Sequence, residues 1–494
     1  MVRDEKYILA IDEGTSSAKA FVVDDSGSIA GRGQYELEQH FPKPGWVEHN
    51  PEEIWNSQMK AVKQAIEAAY IDKEQIASIG ITNQRETTIL WDKSGKPVHN
   101  AIVWQDRRTS EIIDSLSDGE RELIKERTGL IADSYFSASK IKWMLDTGLR
   151  KRAEKGEILF GTVDSYLIYR LTDGKVHATD VTNASRTMLF DIKKMSWDSE
   201  LLEIFGIPDA ILPEIRQSGD FYGTAEKIYP KIPISSCMGD QQAALFGQAC
   251  FKRGMVKNTY GTGNFILMNT GGVVRSEKLL TTPAWSVGGR VEYALEGSVF
   301  ATGSAIQWVK DGLKMAGSME EMEKMASSLK DNGGVYLVPA FVGLGAPYWN
   351  QYARGTVVGM SRGTGAAHLA RAALEAVAYL SNDVLGVMEE ESGLRVGALR
   401  VDGGASENEF LMQFQSDISG CRILKARTSE TTAMGAACMA GMEIGLWKKD
   451  DIAGMWMAER EYEPSMDAGK RSALVNGWKR AVERSLNWAS EEFA

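Results

Sequence analysis

The sequence predicts an α/β protein of two comparable halves, each a mixed sheet with helices packed on it. Three observations carry this. The first half reads strand, strand, strand, helix, strand, helix, strand, and an order of the same kind restarts after about residue 250. At 494 residues the chain is too long for one ordinary core. Two short stretches, one opening each half, look like copies of one device: an apolar run, a tight turn of small hydroxylated residues, and a second apolar run.

In the first half, Tyr7–Ile11, Lys19–Val23 and Ser28–Leu37 read as strands, the last two joined by Asp25-Ser26-Gly27. After Pro42-Lys43-Pro44-Gly45, the run Asn50-Pro51-Glu52-Glu53 signals a helix start. It offers a capping Asn, proline at the first helical position and acid in the first turn. Ile54, Gln58, Val62, Ile66 and Ala69 mark the buried face of that helix. Short strands follow at Ala77–Thr82 and Ala101–Trp104.

In the second half, Met255–Tyr260, Asn264–Asn269 and Val291–Leu295 read as strands, and a helix opens at Gly303-Ser304-Ala305. A long helix from Ala366 to Glu391 carries Leu369, Ala373, Ala376, Leu380, Val384 and Val387 on one face. Strand Ala398–Val401 then runs into Asp402-Gly403-Gly404 and a new helix. No low-complexity linker separates the halves, so residues 1–250 and 251–494 are expected to pack together across a cleft.

Composition is that of an ordinary soluble protein, 43% apolar and 25% charged, and the formal charge of −11 argues against a nucleic-acid groove. The four cysteines, Cys237, Cys250, Cys421 and Cys438, show no CxxC pairing and read as buried free thiols in a reducing compartment. Met1 to Lys6 are charged and lead straight into a strand, so no signal-peptide core is expected. The uncharged stretch Asn332 to Ala353 is interrupted by Pro339, Pro347 and several glycines. It reads as a buried strand and a loop, not a membrane span. The location expected is the cytoplasm.

Several machines are excluded by inspection. There is no GxxxxGK[ST] phosphate loop, no GxGxxG after a strand, no HExxH and no GxSxG. What remains are polar clusters at strand ends. The turns around Gly14-Thr15-Ser16-Ser17 and Gly261-Thr262-Gly263 are either plain hairpins or, as a pair, a phosphate grip from two sides. Asp12, ending the first strand, either caps its turn or holds magnesium through carboxylate oxygen. Asn83-Gln84-Arg85-Glu86 is either a solvated turn or a hydroxyl-binding pair, with the guanidinium donating and the carboxylate accepting. Asp240 in Gly239-Asp240-Gln241-Gln242 is either the N-cap of an Ala-rich helix, Ala243 to Cys250, or a general base with Gln241 beside it to orient a hydroxyl. In Asp402 to Glu409, Ser406 and Glu409 fit a capping box, while the paired glycines leave room for a flat adenine or a ribose with Asn408 as a polar contact. Trp104, Tyr135 and Phe265 are core aromatics or the walls of a site for a short carbon chain.

Taken together, these clusters resemble the FGGY carbohydrate kinases, and within them the branch that acts on glycerol. The blocks Pro42 to His49, Gly80 to Thr88, Thr182 to Phe190, Gly239 to Gly247, Asn258 to Gly263 and Gly343 to Trp349 carry the likeness, which spans essentially the whole chain. The resemblance implies two ribonuclease-H-like, actin/hexokinase-type domains flanking an ATP/substrate cleft, with glycerol and ATP/ADP as partners, Mg2+ as cofactor and a homo-oligomer, dimer or tetramer, as the assembly. It implies ATP-dependent phosphorylation of glycerol to sn-glycerol 3-phosphate, the first step of glycerol catabolism. By position, Arg85, Glu86, Tyr135, Asp240 and Gln241 would bind glycerol hydroxyls, with Trp104 and Phe265 against its carbons and Asp240 as the base. Thr15, Ser16, Ser17 and Lys19 would face the phosphates with Thr262 opposite, and Gly303, Gln307, Gly404 and Asn408 would surround the rest of the nucleotide. Two positions depart from the family's first turn: Ser16 replaces threonine and Lys19 replaces arginine, which removes a bidentate phosphate grip. Thr224 to Pro233 lacks the glycine-rich basic loop of members inhibited by fructose bisphosphate. No histidine lies between His177 and His368 for phosphohistidine control, so neither regulation is expected.

Overall fold

The computed structural model describes residues 6–228 and 232–489. Met1 to Glu5 and residues 229–231, the latter inside the stretch that bears on regulation, lie outside the described residues. The first half forms a six-stranded sheet of β1 (Tyr7–Glu13), β2 (Ser17–Val23), β3 (Ile29–Glu36), β4 (Ile76–Asn83), β5 (Thr224–Ala225) and β6 (Ile232–Gly239). Their order is β5-β6-β4-β1-β2-β3. β1, β2 and β3 form an antiparallel meander, β4 joins β1 in parallel and β6 joins β4 in parallel. The second half forms a seven-stranded sheet of β7 (Val256–Tyr260), β8 (Asn264–Asn269), β9 (Leu280–Val287), β10 (Arg290–Val299), β11 (Ala398–Asp402), β12 (Arg422–Ala426) and β13 (Ala458–Tyr462). Their order is β9-β10-β8-β7-β11-β12-β13. Here β7, β8 and β10 form the meander, with β11 parallel to β7 and β12 parallel to β11. The two cores share one topology.

Local chemistry explains most boundaries. Helix α1 (Pro51–Ala69) starts where the sequence predicts: the Asn50 side chain accepts from the Glu52 N–H at 3.0 Å, and Ile54, Gln58, Val62 and Ile66 are buried. β1 runs two residues past its apolar stretch because Asp12 and Glu13 are paired on both sides, with Lys19 and Ala18 in β2 and with Thr82 and Asn83 in β4. β9 is not visible in the sequence pattern. Pro283 interrupts it beside a register shift, which an edge strand tolerates. The stretch from Asn332 to Ala353 contains the short strand Tyr336–Val338 followed by a loop, as expected, and no helix among the described residues is long and apolar enough to cross a membrane.

Two helices are exchanged between the halves. α2 (Asp240–Gly247) belongs to the first half and packs on β7 and β8 of the second. The long α3 (Ala366–Ser392) covers the outer face of the second sheet. α4 (Thr431–Glu443) belongs to the second half and packs on β1, β4 and β6 of the first. α2 and α4 therefore lie side by side between the two sheets, where Ile8, Ala10, Ala243, Leu267, Trp285, Ala433 and Ala437 form one apolar cluster. Their backbones nearly touch. A Cβ at Gly435 would lie 1.8 Å from the Ala243 carbonyl oxygen, and one at Gly247 would lie 2.0 Å from that of Thr431.

Alanine is the better helix former by about 1 kcal/mol, so an open site would gain stability from Gly435→Ala. At this crossing the substitution is expected to cost about 1–3 kcal/mol instead, read by chemical denaturation. Stability at or above wild type would mean that the helices do not cross this closely.

Candidate active site

The site lies between the facing sides of the two sheets and is built around a buried cluster of charge. The turn after β4 places Arg85 and Glu86 back to back, with Glu86 held at φ 63°, a conformation unusual for a residue with a Cβ. Thr88 and Ser137 donate hydroxyl hydrogen bonds to the Glu86 carbonyl at 3.0 and 2.9 Å and keep it there. Arg85 forks onto Glu296 of β10 at 2.7 and 2.8 Å, donates to Gln242 Oε1 at 3.1 Å, and sets its Nε 3.2 Å from Asp240. Arg186 donates from Nε to Glu86 at 2.6 Å and lies 3.3 Å from Glu296. Burial acts to raise the Glu296 carboxyl, but Arg186 and Arg85 outweigh it and hold it at about 2.

Asp240 is the first residue of α2, with Gly239 at the cap position, so it is not the N-cap of the helix, and the helix starts three residues before the predicted Ala243. Its Oδ1 accepts from the Gln241 N–H at 2.7 Å, and its side chain keeps 29% of its surface open. Burial raises its carboxyl above the usual carboxylate range, against Arg85 and Lys257, which lower it. Trp104, Tyr135 and Phe265 do come together: Trp104 stands edge-on to Tyr135 at 5.6 Å and to Phe265 at 6.3 Å. Phe265 also faces the Arg85 guanidinium at 5.9 Å. Aromatic rings, a guanidinium and carboxylates thus converge in one place, a combination that suits an aliphatic chain bearing hydroxyls.

Asp12 lies on the cleft side of β1 and makes no side-chain hydrogen bond among the described residues. Burial raises its carboxyl to about 7; Lys19 pulls it down, and Asp240 and Glu430 push it up. That is the environment of a carboxylate suited to a hard cation, which would restore its charge. Beside it, Thr15 accepts from Trp104 Nε1 at 2.8 Å and keeps its own hydroxyl proton to donate. Ser16 is exposed and Ser17 half-buried. Lys19 pairs its ammonium with Glu430 at 3.1 Å, which uses one of its three donors, and Arg32 holds the other oxygen of that carboxylate at 3.1 Å.

On the opposite side, Thr262 is exposed at the tip of the second turn, and its carbonyl accepts from the N–H groups of Thr302 and Ser304 at 3.0 and 3.2 Å. Gly303 closes against this turn so tightly that a Cβ would lie 2.3 Å from the Gly261 carbonyl oxygen. Gln307 and Gly404 are exposed, and nothing lies within 4 Å of a Cβ built on Gly404. The expected capping box of Ser406 and Glu409 does not form. Gly404–Glu407 is a 3-10 turn, Ser406 donates to the Gly403 carbonyl at 2.6 Å, and Asn408 caps the next helix by accepting from the Leu411 N–H at 2.8 Å. The amide nitrogen of Asn408 makes no hydrogen bond among the described residues.

Sequence reasoning missed Arg186, Gln242, Lys257 and Glu296 as members of the site. The available signal was a single charged residue in an uncharged stretch, Lys257 within Val256–Tyr260 and Glu296 within residues 293–299, since such a residue needs a buried partner.

Models of the FGGY family of carbohydrate kinases match this chain, the N-terminal domain over residues 7–247 and the C-terminal domain over residues 256–444. A glycerol kinase of Thermococcus onnurineus is 58% identical over 98% of this chain and 99% of its own length. Glycerol kinase 2 of Sulfolobus acidocaldarius is 56% identical over 98% and 99%. Among solved structures, Plasmodium falciparum glycerol kinase with ADP superposes with a TM-score of 0.91 at 37% identity, covering 97% of this chain and 98% of that one.

The Glu296 carboxyl, about 2 when folded and 4.5 when free, contributes stability that is complete above about pH 4.5 and is lost as pH falls toward 2. The shift corresponds to about 3 kcal/mol. Glu296→Gln is expected to lose stability at neutral pH and to flatten the fall between pH 4.5 and 2, measured by denaturant titration at each pH. An unchanged acid slope would show that Glu296 is not the carboxylate held ionised here.

Proposed function

Since this chain belongs to the FGGY family of carbohydrate kinases, we propose that it transfers a phosphoryl group from ATP to a terminal hydroxyl of glycerol, yielding sn-glycerol 3-phosphate, with Asp240 as the general base. The observation that carries the reading is the convergence of Asp240 with Arg85 at 3.2 Å under the Trp104, Tyr135 and Phe265 rings. Residues 1–250 would hold glycerol and the phosphates, and residues 251–494 the nucleoside. The cytoplasm is the proposed location, in keeping with four unpaired buried cysteines.

In this reading Arg85 donates to one glycerol hydroxyl and Glu86 accepts from another, while Trp104 and Phe265 flank the carbons and Tyr135 closes the side. Asp240, its affinity for protons raised by burial, takes the proton from the attacking hydroxyl. Thr15, Ser16 and Ser17 face the phosphates from one side and Thr262 from the other, with Gly303, Gln307, Gly404 and Asn408 around the rest of the nucleotide. Asp12 would hold Mg2+, whose chemistry when bound is to neutralise charge on the phosphate oxygens. Phosphoryl transfer runs through a loose transition state, so positioning outweighs proton removal until the product must be neutralised.

Initial-rate ADP release with magnesium-ATP across glycerol, dihydroxyacetone, erythritol and xylulose is expected to be fastest with glycerol. Release unaffected by every acceptor would sink the kinase reading. Asp240→Asn is expected to lower kcat by roughly 10²–10⁴, whereas Arg85→Lys mainly raises the KM for glycerol. Near-normal turnover in a folded Asp240→Asn enzyme would remove Asp240 as the base.

A further inference from the structure

We propose that Lys257 is a positioning residue for the acceptor: from the second half it fixes the side-chain amide of Gln241, so that the amide nitrogen is presented to the acceptor hydroxyl. The inference rests on the reading of Gln241 and Asp240 as acceptor-binding groups.

Lys257 is wholly buried, and its ammonium has three acceptors: Gln241 Oε1, Thr259 Oγ1 at 3.0 Å and the Phe265 carbonyl at 3.2 Å. An ammonium has three donors and no lone pair. All three donors are therefore used, and Lys257 has none left for a substrate. The atom of Gln241 that it meets must also be the oxygen, which leaves the amide nitrogen as the free end. One hydrogen of that nitrogen is directed to the Asp240 carboxylate, whose charged form it favours, and the other is left for the acceptor, while the Gln241 backbone N–H is tied to Asp240 at 2.7 Å.

The strand register explains why Lys257 can do this. Lys257 and Thr259 alternate with Val256, Asn258 and Tyr260, so their side chains leave the sheet on the side facing α2, while Val256 and Tyr260 enter the core under α3. Phe265, directly opposite Thr259 in β8, brings its carbonyl and ring to the same place. Gln241 comes from the first half and Lys257 from the second. The orientation of the amide thus depends on the two halves being together, as the pairing of Arg85 with Glu296 does. Burial lowers the Lys257 ammonium to about 8, while Asp402, Asp240 and Glu296 act to keep it charged, and Arg85 opposes them.

Lys257→Met keeps the length and removes the donors. Steady-state kinetics of full-length Lys257→Met, Gln241→Ala and the double variant test the proposal. Lys257→Met is expected to raise the glycerol KM about tenfold with the KM for ATP within about twofold of wild type. In the Gln241→Ala background, adding Lys257→Met is expected to change the glycerol KM by less than about twofold, because Lys257 acts through Gln241. Should Lys257→Met not fold, Lys257→Gln is measured in its place with the same expectations. A wild-type glycerol KM in the single variant, or full additivity in the double, overturns the proposal. A wild-type enzyme whose ADP release ignores glycerol instead overturns the functional reading on which it rests.

Discussion

Ionised groups out of contact with water must be paired, and the halves of this chain meet on a set that obeys this rule. Arg85, Arg186 and Lys257 carry three positive charges, and Glu86, Glu296 and Asp240 carry three negative ones. Glu296 and Lys257 stand on the second sheet, and the other four belong to the first half. Drawing the halves apart at this level would strip Glu296 of both its arginines and Lys257 of its contact with Gln241. Any closing movement of the cleft that spares these pairs has to pivot about them. The cluster of Arg85, Arg186 and Glu296 is consequently where charge holds the two halves to one another.

The first turn is the other place where charge is arranged with care. Asp240 and Glu430 raise the proton affinity of Asp12, so the first turn is short of positive charge. Lys19 offsets this only in part, because its ammonium is paired with Glu430. A lysine at this position fits that arrangement: a point charge suffices for the ion pair with Glu430, where a planar fork is not needed. The second turn has no such competition, since Thr262 is bound only through its backbone.

What was legible in the sequence follows from locality. The Asn50 cap, the meander that opens each half and the long helix α3 are specified by residues within a few turns of one another. The strand-end clusters at Arg85, Asp240 and Gly403 were visible because glycine and polar residues punctuate apolar strands. Illegible were the matters decided at a distance. Arg85 and Glu296 are 211 residues apart, and nothing near either names the other. Asp240 looked like a cap because a lone Asp before a helix usually is one; here Gly239 takes the cap position and Asp240 the first turn. Ser406 and Glu409 had capping-box spacing, but the 3-10 turn at Gly404–Glu407 moves the helix start to Asn408.

The exchange of α2 and α4 bears on how the two halves are inherited. Each sheet has one face covered by its own helices and the other by a helix encoded in the opposite half. A gene copy of either half alone would therefore specify a protein with an apolar sheet face open to water. The two units share one topology, and the exchanged helices make them obligate companions. The Ala-Gly surfaces of the two crossing helices are the sequence record of that bond, since small residues there are needed by the partner and not by the half that carries them.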